Sequence, residues 1–264
     1  MFVHPELVMG RILLLCSMTV AWSAQAAVPL QFCFEDKELA PYYYGNSAEV
    51  RQQNPGATIE HVQQLVAAVP ALELKLIRLP WKRCLASLAT GDVDAVVGSY
   101  STERAEFAVF PYRDGQPDPT RAFNLHHTCL VSRQDAPWQW TGEGFSGIDQ
   151  LVVARPLGYA PLKSKFPQKF TMHYTSSSDM DLDLLEKGRI HTITRLCQIG
   201  DLKVSPAQIS LRGLKILYPP LYDSRGYLIF SQKFYKQHQK LAELLWQQQI
   251  QNKGTEIYRR YLEE

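Results

Sequence analysis

From Leu30 to Ser99 the apolar residues switch between strand spacing and helix spacing four times. No other feature restricts the fold as much. "LQFCF" (Leu30–Phe34) sets bulky residues at strand period. "TIEHVQQLVAAV" (Thr58–Val69) carries Ile59, Val62, Leu65, Val66 and Val69 at helical spacing, with Thr58 placed to cap it. "LELKLIRL" (Leu72–Leu79) is a strand again. "WKRCLASLATG" (Trp81–Gly91) is a short helix ended by a glycine that tolerates a left-handed backbone. "VDAVVGS" is a third strand. The β-α-β-α-β order predicts a mostly parallel sheet with covering helices. In such sheets ligands sit at the carboxyl ends of strands. Those ends here are "EDKELAPYYY", "RLPW" and "GSYSTER", so three polar or aromatic loops converge on one edge.

"PYRDGQPDPTR" (Pro111–Arg121) breaks the pattern and reads as a connector. A second α/β unit follows. "HTCLVS", "QLVVAR" and "FTMHY" are strand-like, and "WQWTGEGFSG" is a turn region. "TSSSDMDLDLLEKGRI" opens a helix capped by Ser178 or Asp179. "IHTITRL", "LKILY" and "YLIFS" are three further strands. Two helical segments split at Gly254 close the chain. The phrases "LATGDVDAVV" and "LEKGRIHTIT" repeat each other weakly.

Before all this, Arg11, the apolar run "ILLLCSMTVAW" and the small-residue exit "AQA" have the order of a secretory leader cleaved after Ala26. Its loss removes one Arg and one Glu, so the net charge stays at +2. That balance, with no block of five basic residues, predicts no nucleic-acid partner. Four cysteines remain: Cys33, Cys84, Cys129 and Cys197. In an oxidising compartment they suggest two disulfides with three possible connectivities; buried free thiols are the alternative. There is no C-x-x-C, so no zinc or redox site is expected, and no cofactor is implied.

The chain resembles the family 3 extracellular solute-binding proteins, which include periplasmic amino-acid receptors. "APYYY" is similar to that family's Pro-aromatic ligand loop. "W…LASLATGDVDAVVGSYSTER" is similar to the phrase leading to its ligand arginine, and "FPY" to the ending that follows. "LLEKGRIHTI" resembles the second-lobe helix and strand. "GYLIFSQKFYKQHQKLAELLWQQQIQNKGTEIYRRYL" resembles the return strand and C-terminal helices. The resemblance implies a two-lobed α/β fold of the type II periplasmic-binding kind, each lobe a mostly parallel sheet flanked by helices, joined by two hinge strands. Residues 1–26 are then the leader. Lobe one takes 27–127 and 223–264, and lobe two takes 128–222. Cys33 and Cys84 lie near one lobe-one edge, which favours Cys33–Cys84 and leaves Cys129–Cys197 in lobe two.

The expected ligand residues follow from the strand ends and the resemblance together. Arg104 offers a planar fork of donors that matches a carboxylate. Ser99 and Ser101 complete an anion cradle. Spacing alone also fits a surface turn, with Ser101 capping a helix and Arg104 paired to Glu103 or Glu106. Tyr43 and Trp81 are aromatic wall candidates, with core packing as the alternative. In the second lobe "PLGYAP" brings Tyr159 to the cleft. Arg195 stands where amino-acid receptors of the family carry an aspartate for the ligand's ammonium. A base there favours a guest with a second acidic group, or one without an amine; Arg195 fits equally well paired to Asp201 or lying on the surface. A second departure is the short spacing from Ser101 to Arg104.

The expectation is a periplasmic, monomeric binding protein. It captures a small carboxylate-bearing ligand by hinge closure, for uptake by a membrane transporter. A sensor ectodomain is the alternative partner. An enzyme on the same fold, such as a dehydratase, is a further alternative, for which Glu35, Asp36 and Glu38 are the acids near the cleft. No G-x-S-x-G, H-E-x-x-H or G-x-x-x-x-G-K occurs. Adjacent His126 and His127 point to opposite faces of a strand and make no metal pair.

Overall fold

The computed structural model describes residues 1–2, 26–157, 162, 170–204 and 207–263. The leader and Tyr159 therefore lie outside the described residues. Strand β1 (Val28–Glu35) buries Phe32, Cys33 and Phe34 in succession, as a strand covered on both faces must. Helix α1 (Ala57–Ala67), β2 (Leu72–Leu79), α2 (Trp81–Thr90), β3 (Ala95–Ser99) and the single turn α3 (Thr102–Ala105) follow. Gly91 ends α2 at φ 76°, the left-handed position its sequence predicts. Thr58 does not cap α1. Gly56 holds that position without a side-chain bond, and the buried Thr58 hydroxyl instead lies 3.0 Å from the Tyr258 hydroxyl.

The stretch read as a connector holds β4 (Ala108–Val109) just before it, then a hairpin of β5 (Tyr112–Arg113) and β6 (Gln116–Pro117). Asp114 and Gly115 both have positive φ, the geometry of a tight Asp-Gly hairpin turn. After β7 (Asn124–Arg133), the turn region forms a second hairpin, β8 (Gln139–Trp140) with β9 (Phe145–Ser146). Then come β10 (Leu151–Pro156), β11 (Phe170–Thr175), α4 (Ser178–Glu186), β12 (Thr192–Ile199), β13 (Leu202–Lys203) and α5 (Ala207–Leu211). Ser177, one residue ahead of the expected caps, accepts the α4 cap bond from the Met180 amide. The segments "LKILY" and "YLIFS" belong to one long strand, β14 (Leu214–Ser231), whose register on β7 shifts between Leu217 and Tyr222. Helices α6 (Gln232–Gln251) and α7 (Thr255–Glu263) close the chain.

The main sheet runs in the order β11-β10-β12-β7-β14-β3-β1-β2. Both flanks are parallel: β1 with β2 and β3, and β10 with β11 and β12. The middle is antiparallel, where β7 and β14 pair with each other. Direction then decides the site. β14 runs antiparallel to β3, and β7 antiparallel to β12, so the two parallel flanks point their carboxyl ends toward each other. The pairing of β12 on β7 ends at His126, opposite Ser224, and that of β3 on β14 ends at Gly226, opposite Asn124, so the two flanks stop one residue pair apart, at Leu125 and Arg225.

Four apolar clusters pack against this sheet. Two are built from residues between Leu30 and Phe123 with the end of β14, around Phe32, Phe230 and Trp246 in one, which α6 and α7 join, and around Val96, Phe110 and Ile229 in the other. Ile199 and Val204, from the β12–β13 turn region, also pack into the first of these. The other two are built from residues between Leu130 and Tyr222, around Trp138 and Val153 and around Leu185 and Ile193. The disulfides are Cys33–Cys84, joining β1 to α2, and Cys129–Cys197, joining β7 to β12. Each spans 5.6 Å between Cα atoms.

Candidate functional site

The first flank contributes Arg104. Ser101 caps α3 by accepting from the Arg104 amide at 3.2 Å, which fixes where the side chain leaves the backbone. The guanidinium turns back, donates from Nη1 to the Ser99 carbonyl at 2.8 Å, and lies over the Trp81 ring at 5.7 Å. Gly98 lies beside this pair: a Cβ there would stand 3.7 Å from Trp81 and 3.8 Å from Arg104 Nη1, in ordinary van der Waals contact. Trp81 opens α2 directly after β2, so the ends of β2 and β3 hold cation and aromatic platform together. Burial pushes the guanidinium pKa down, and neighbouring Glu103 only partly offsets this. Neither Glu103 nor Glu106 forms an ion pair with it among the described residues. The surface-pair alternative is therefore not the arrangement found, and this half-buried cation has no carboxylate partner among the described residues.

Ser99 reaches across to β14, its hydroxyl 3.1 Å from that of Ser224. Tyr43 is packed in the core, 7% exposed, with its ring 5.4 Å from that of Phe34. Tyr42, its neighbour, meets the β7 residue His126 through its hydroxyl and Nδ1. Burial, with His127 adding to it, pushes the His126 pKa down to about 4, so this ring is neutral. His127 turns the other way, to Asp223 on β14 at 2.7 Å. Both histidines are thereby committed to joining the crossing strands to their surroundings.

The acids at the end of β1 divide by role. Glu38 accepts from the Gly45 amide and closes its own loop. Glu35 is raised, chiefly by burial and then by Asp36. The Oδ1 atom of Asp36 is buried with no hydrogen-bond partner among the described residues. Arg78, only 3% exposed, pairs with neither; it donates to the carbonyls of Glu35, Tyr44, Gly45 and Glu49 and pins the aromatic loop.

The second flank holds a network that sequence reading found only in part. Arg195 on β12 donates to Asp181 at 3.2 Å and to the Thr194 carbonyl. Asp181, in the first turn of α4, is fully inaccessible and accepts from Thr175 at the end of β11. Burial raises the Asp181 pKa against the bonds from Thr175 and Arg195. Arg155, near the end of β10, is 7% exposed and donates to the Tyr222 hydroxyl on β14 at 3.0 Å. Arg155 is not among the residues that the sequence analysis names. A guanidinium at the carboxyl end of a buried strand was the signal available.

No family model matches this chain, and no curated protein matches it. Solved structures do. A structure from the study of glutathione import via GshT and the cystine importer TcyBC of Streptococcus mutans superposes with TM-score 0.65 at 14% identity, covering 90% of this chain and 95% of that one. The GluR0 ligand-binding core in complex with L-glutamate gives 0.64 at 13%, covering 90% and 99%. The probable amino-acid transporter extracellular-binding protein YtmK of Bacillus subtilis gives 0.63 at 13%, covering 90% and 100%. The fold is that of the two-lobed solute-binding proteins. At these identities the solute-binding fold is what is shared; the cleft residues have to be read from this chain itself.

Proposed function

We propose that this chain is an exported solute-binding protein that captures a small carboxylate-bearing ligand between its two lobes by hinge closure. In this reading residues 1–26 are a leader, 27–127 with 223–264 form lobe one, and 128–222 form lobe two. It works as a periplasmic monomer that hands its ligand to a membrane transporter. The observation that carries the reading is Arg104: half-buried, seated on Trp81, steered by Ser99 and Ser101, and without a carboxylate partner among the described residues. A desolvated guanidinium is stabilised when an anion joins it, and its planar fork fits a carboxylate. Closure follows if the second lobe adds contacts available only in the closed form.

The test is titration calorimetry with a panel of small carboxylates and amino acids on wild type and Arg104→Gln. Losing a charge-assisted contact costs about ten- to hundredfold in affinity. A ligand that binds both proteins equally would remove Arg104 from the site and the reading with it. Consumption of the ligand during the titration would support the enzyme alternative, with Glu35 and Asp36 as its acids. Recovery of the ligand-loaded protein on a sensor ectodomain instead of a transporter would exchange the partner and leave the ligand site intact.

A further inference from the structure

We infer that the Cys33–Cys84 disulfide positions the ligand arginine: it anchors the turn of α2 that carries Trp81, and through that ring it holds Arg104 ready for a carboxylate. This rests on the carboxylate-binding reading above and names what keeps its arginine in place.

Helix α2 is fastened differently at its two ends. Of its residues only Cys84 and Leu88 are buried, one turn apart. At the far end, Leu88 packs in the cluster of Val93, Val96 and Ile229, and Lys233 donates to the Gly91 carbonyl at 3.2 Å. At the near end, Pro80 holds the cap position and gives no side-chain bond. The fastening there is Cys84, fully buried and bonded to the equally buried Cys33 of β1. Trp81 lies three residues before Cys84, so the two share one face of the first turn. The half-buried Trp81 and Ala105, the neighbour of Arg104, both pack against the cluster that contains the two cysteines.

Arg104 takes one of its supports from that turn. Two others are local: the Ser101 hydroxyl accepts from its amide, and the Ser99 carbonyl accepts from Nη1. These fix where the side chain starts and tether one nitrogen. The Trp81 ring, 5.7 Å from the guanidinium carbon, covers a face of the fork and keeps water from it. A fork held this way meets a carboxylate with little further loss of side-chain freedom. The bridge is suited to the task because it fixes a distance, 5.6 Å between the two Cα atoms. In the sheet β1 lies between β2 and β3. The disulfide therefore sets Trp81 against the same strand that pairs with β3, whose last residue is Ser99. Without the bridge the first turn of α2 can drift, the ring leaves, and the guanidinium becomes hydrated and mobile.

The test reads Arg104 directly. Phenylglyoxal modifies accessible guanidiniums, and peptide mapping by mass spectrometry gives the rate at each arginine. The proteins are wild type, Cys33→Ala/Cys84→Ala, Trp81→Leu and the combination of all three changes, kept non-reducing and well below their unfolding temperatures. Arg189, exposed ahead of β12, is the internal reference. Opening the bridge raises the Arg104 rate relative to Arg189 by about two- to fivefold, from loss of the ring contact. Trp81→Leu raises it as much, and the combination adds no further rise. An unchanged Arg104 rate in the alanine pair overturns the inference. So do rises that multiply in the combination, because the bridge would then act by a route other than Trp81. If the alanine pair lacks a cooperative unfolding transition, Cys33→Val/Cys84→Ala, which refills the lost volume, takes its place. An unchanged rate in Trp81→Leu overturns the inference whatever either pair does. Calorimetry on the same proteins, with a carboxylate panel that includes L-glutamate and succinate, gives the binding side: affinity for a ligand held by Arg104 falls about two- to fivefold in each variant, again without adding. Unchanged affinity in the alanine pair overturns the inference. No Arg104-dependent binding across the panel, with the modification pattern as expected, overturns the carboxylate reading and supports the coupling of bridge, ring and arginine.

Discussion

His61 ties stability to pH in a way that can be worked through. The ring lies on α1 with no exposed surface, packed against Phe123 at 4.3 Å between centroids. Nε2 donates to the Asn252 carbonyl at 3.0 Å, which leaves Nδ1 as the unprotonated nitrogen. Nδ1 is buried with no hydrogen-bond partner among the described residues, and Gly254 presses on it so closely that a Cβ there would stand 2.7 Å away. A second ring proton has nowhere to point. Burial, with Lys253 adding to it, moves the pKa from 6.5 to about 4, against the opposite pull of the Asn252 bond. The folded state therefore binds fewer protons than the unfolded chain between those values. Stability is fully present above pH 6.5 and is lost as pH falls toward 4. Each such histidine contributes a slope of about 1.4 kcal/mol per pH unit, so roughly 2.5 kcal/mol disappears between pH 7.5 and 4.5. His126 contributes a similar slope of its own. In His61→Gln the amide can still donate to Asn252 but does not titrate. Urea unfolding followed by the fluorescence of buried Trp138 and Trp246, at intervals from pH 7.5 to 4.5, reads the difference. The variant should lose about half the wild-type pH slope over that window, whatever its constant offset in stability. An unchanged slope in His61→Gln would refute the argument, because it would mean the ring is protonated as easily inside the fold as outside.

Replacing Cys33 and Cys84 together with alanine opens a cross-link of sequence separation 51. From loop entropy this should lower unfolding stability by about 4 kcal/mol, measured against wild type under non-reducing conditions. Gly226→Ala puts a Cβ 2.3 Å from Asn124 Oδ1 and 3.3 Å from His126, where β14 begins to pair with β3. It should cost about 1–3 kcal/mol in the same assay, and a neutral result would mean that the Asn124 contact is easily given up. Ser101→Ala removes the cap of α3 and with it the steering of Arg104. It should weaken carboxylate binding by less than Arg104→Gln does, at a stability cost of about 1 kcal/mol or less; equal losses would make Ser101 a direct ligand.

Much of the first lobe was legible because its signals are local. The strand period of "LQFCF", the helical spacing of α1 and the glycine at the end of α2 each depend on a few neighbouring residues. The same holds for Ser101, whose cap needs only the amide three residues on. Where local signals had rivals, sequence reading missed. Thr58 has the chemistry of a cap, but the Tyr258 hydroxyl, two hundred residues away, takes its oxygen. The hairpin at Asp114–Gly115 carried a readable turn signal that its surrounding prolines obscured. "LKILY" and "YLIFS" looked like two strands because Pro219 and Pro220 separate them, yet both halves pair with β7 across a register shift.

The cleft divides in the same way. Sequence by itself determined the alternation of strands and helices, hence a parallel sheet with its loops at one edge, and named Trp81 and Arg104 just beyond strand ends; the family resemblance added Arg195, which lies within β12. Tertiary structure decided what those side chains meet. It put Tyr43 into the core beside Phe34, gave Arg195 to Asp181 instead of Asp201, and left Arg104 on Trp81 without a carboxylate. It also turned the two flanks toward each other, through a pair of antiparallel crossing strands whose partners lie about a hundred residues apart. The physical reason is range. Backbone period and capping are settled within a turn or a strand. Burial and ion pairing depend on which distant residues the sheet order brings alongside.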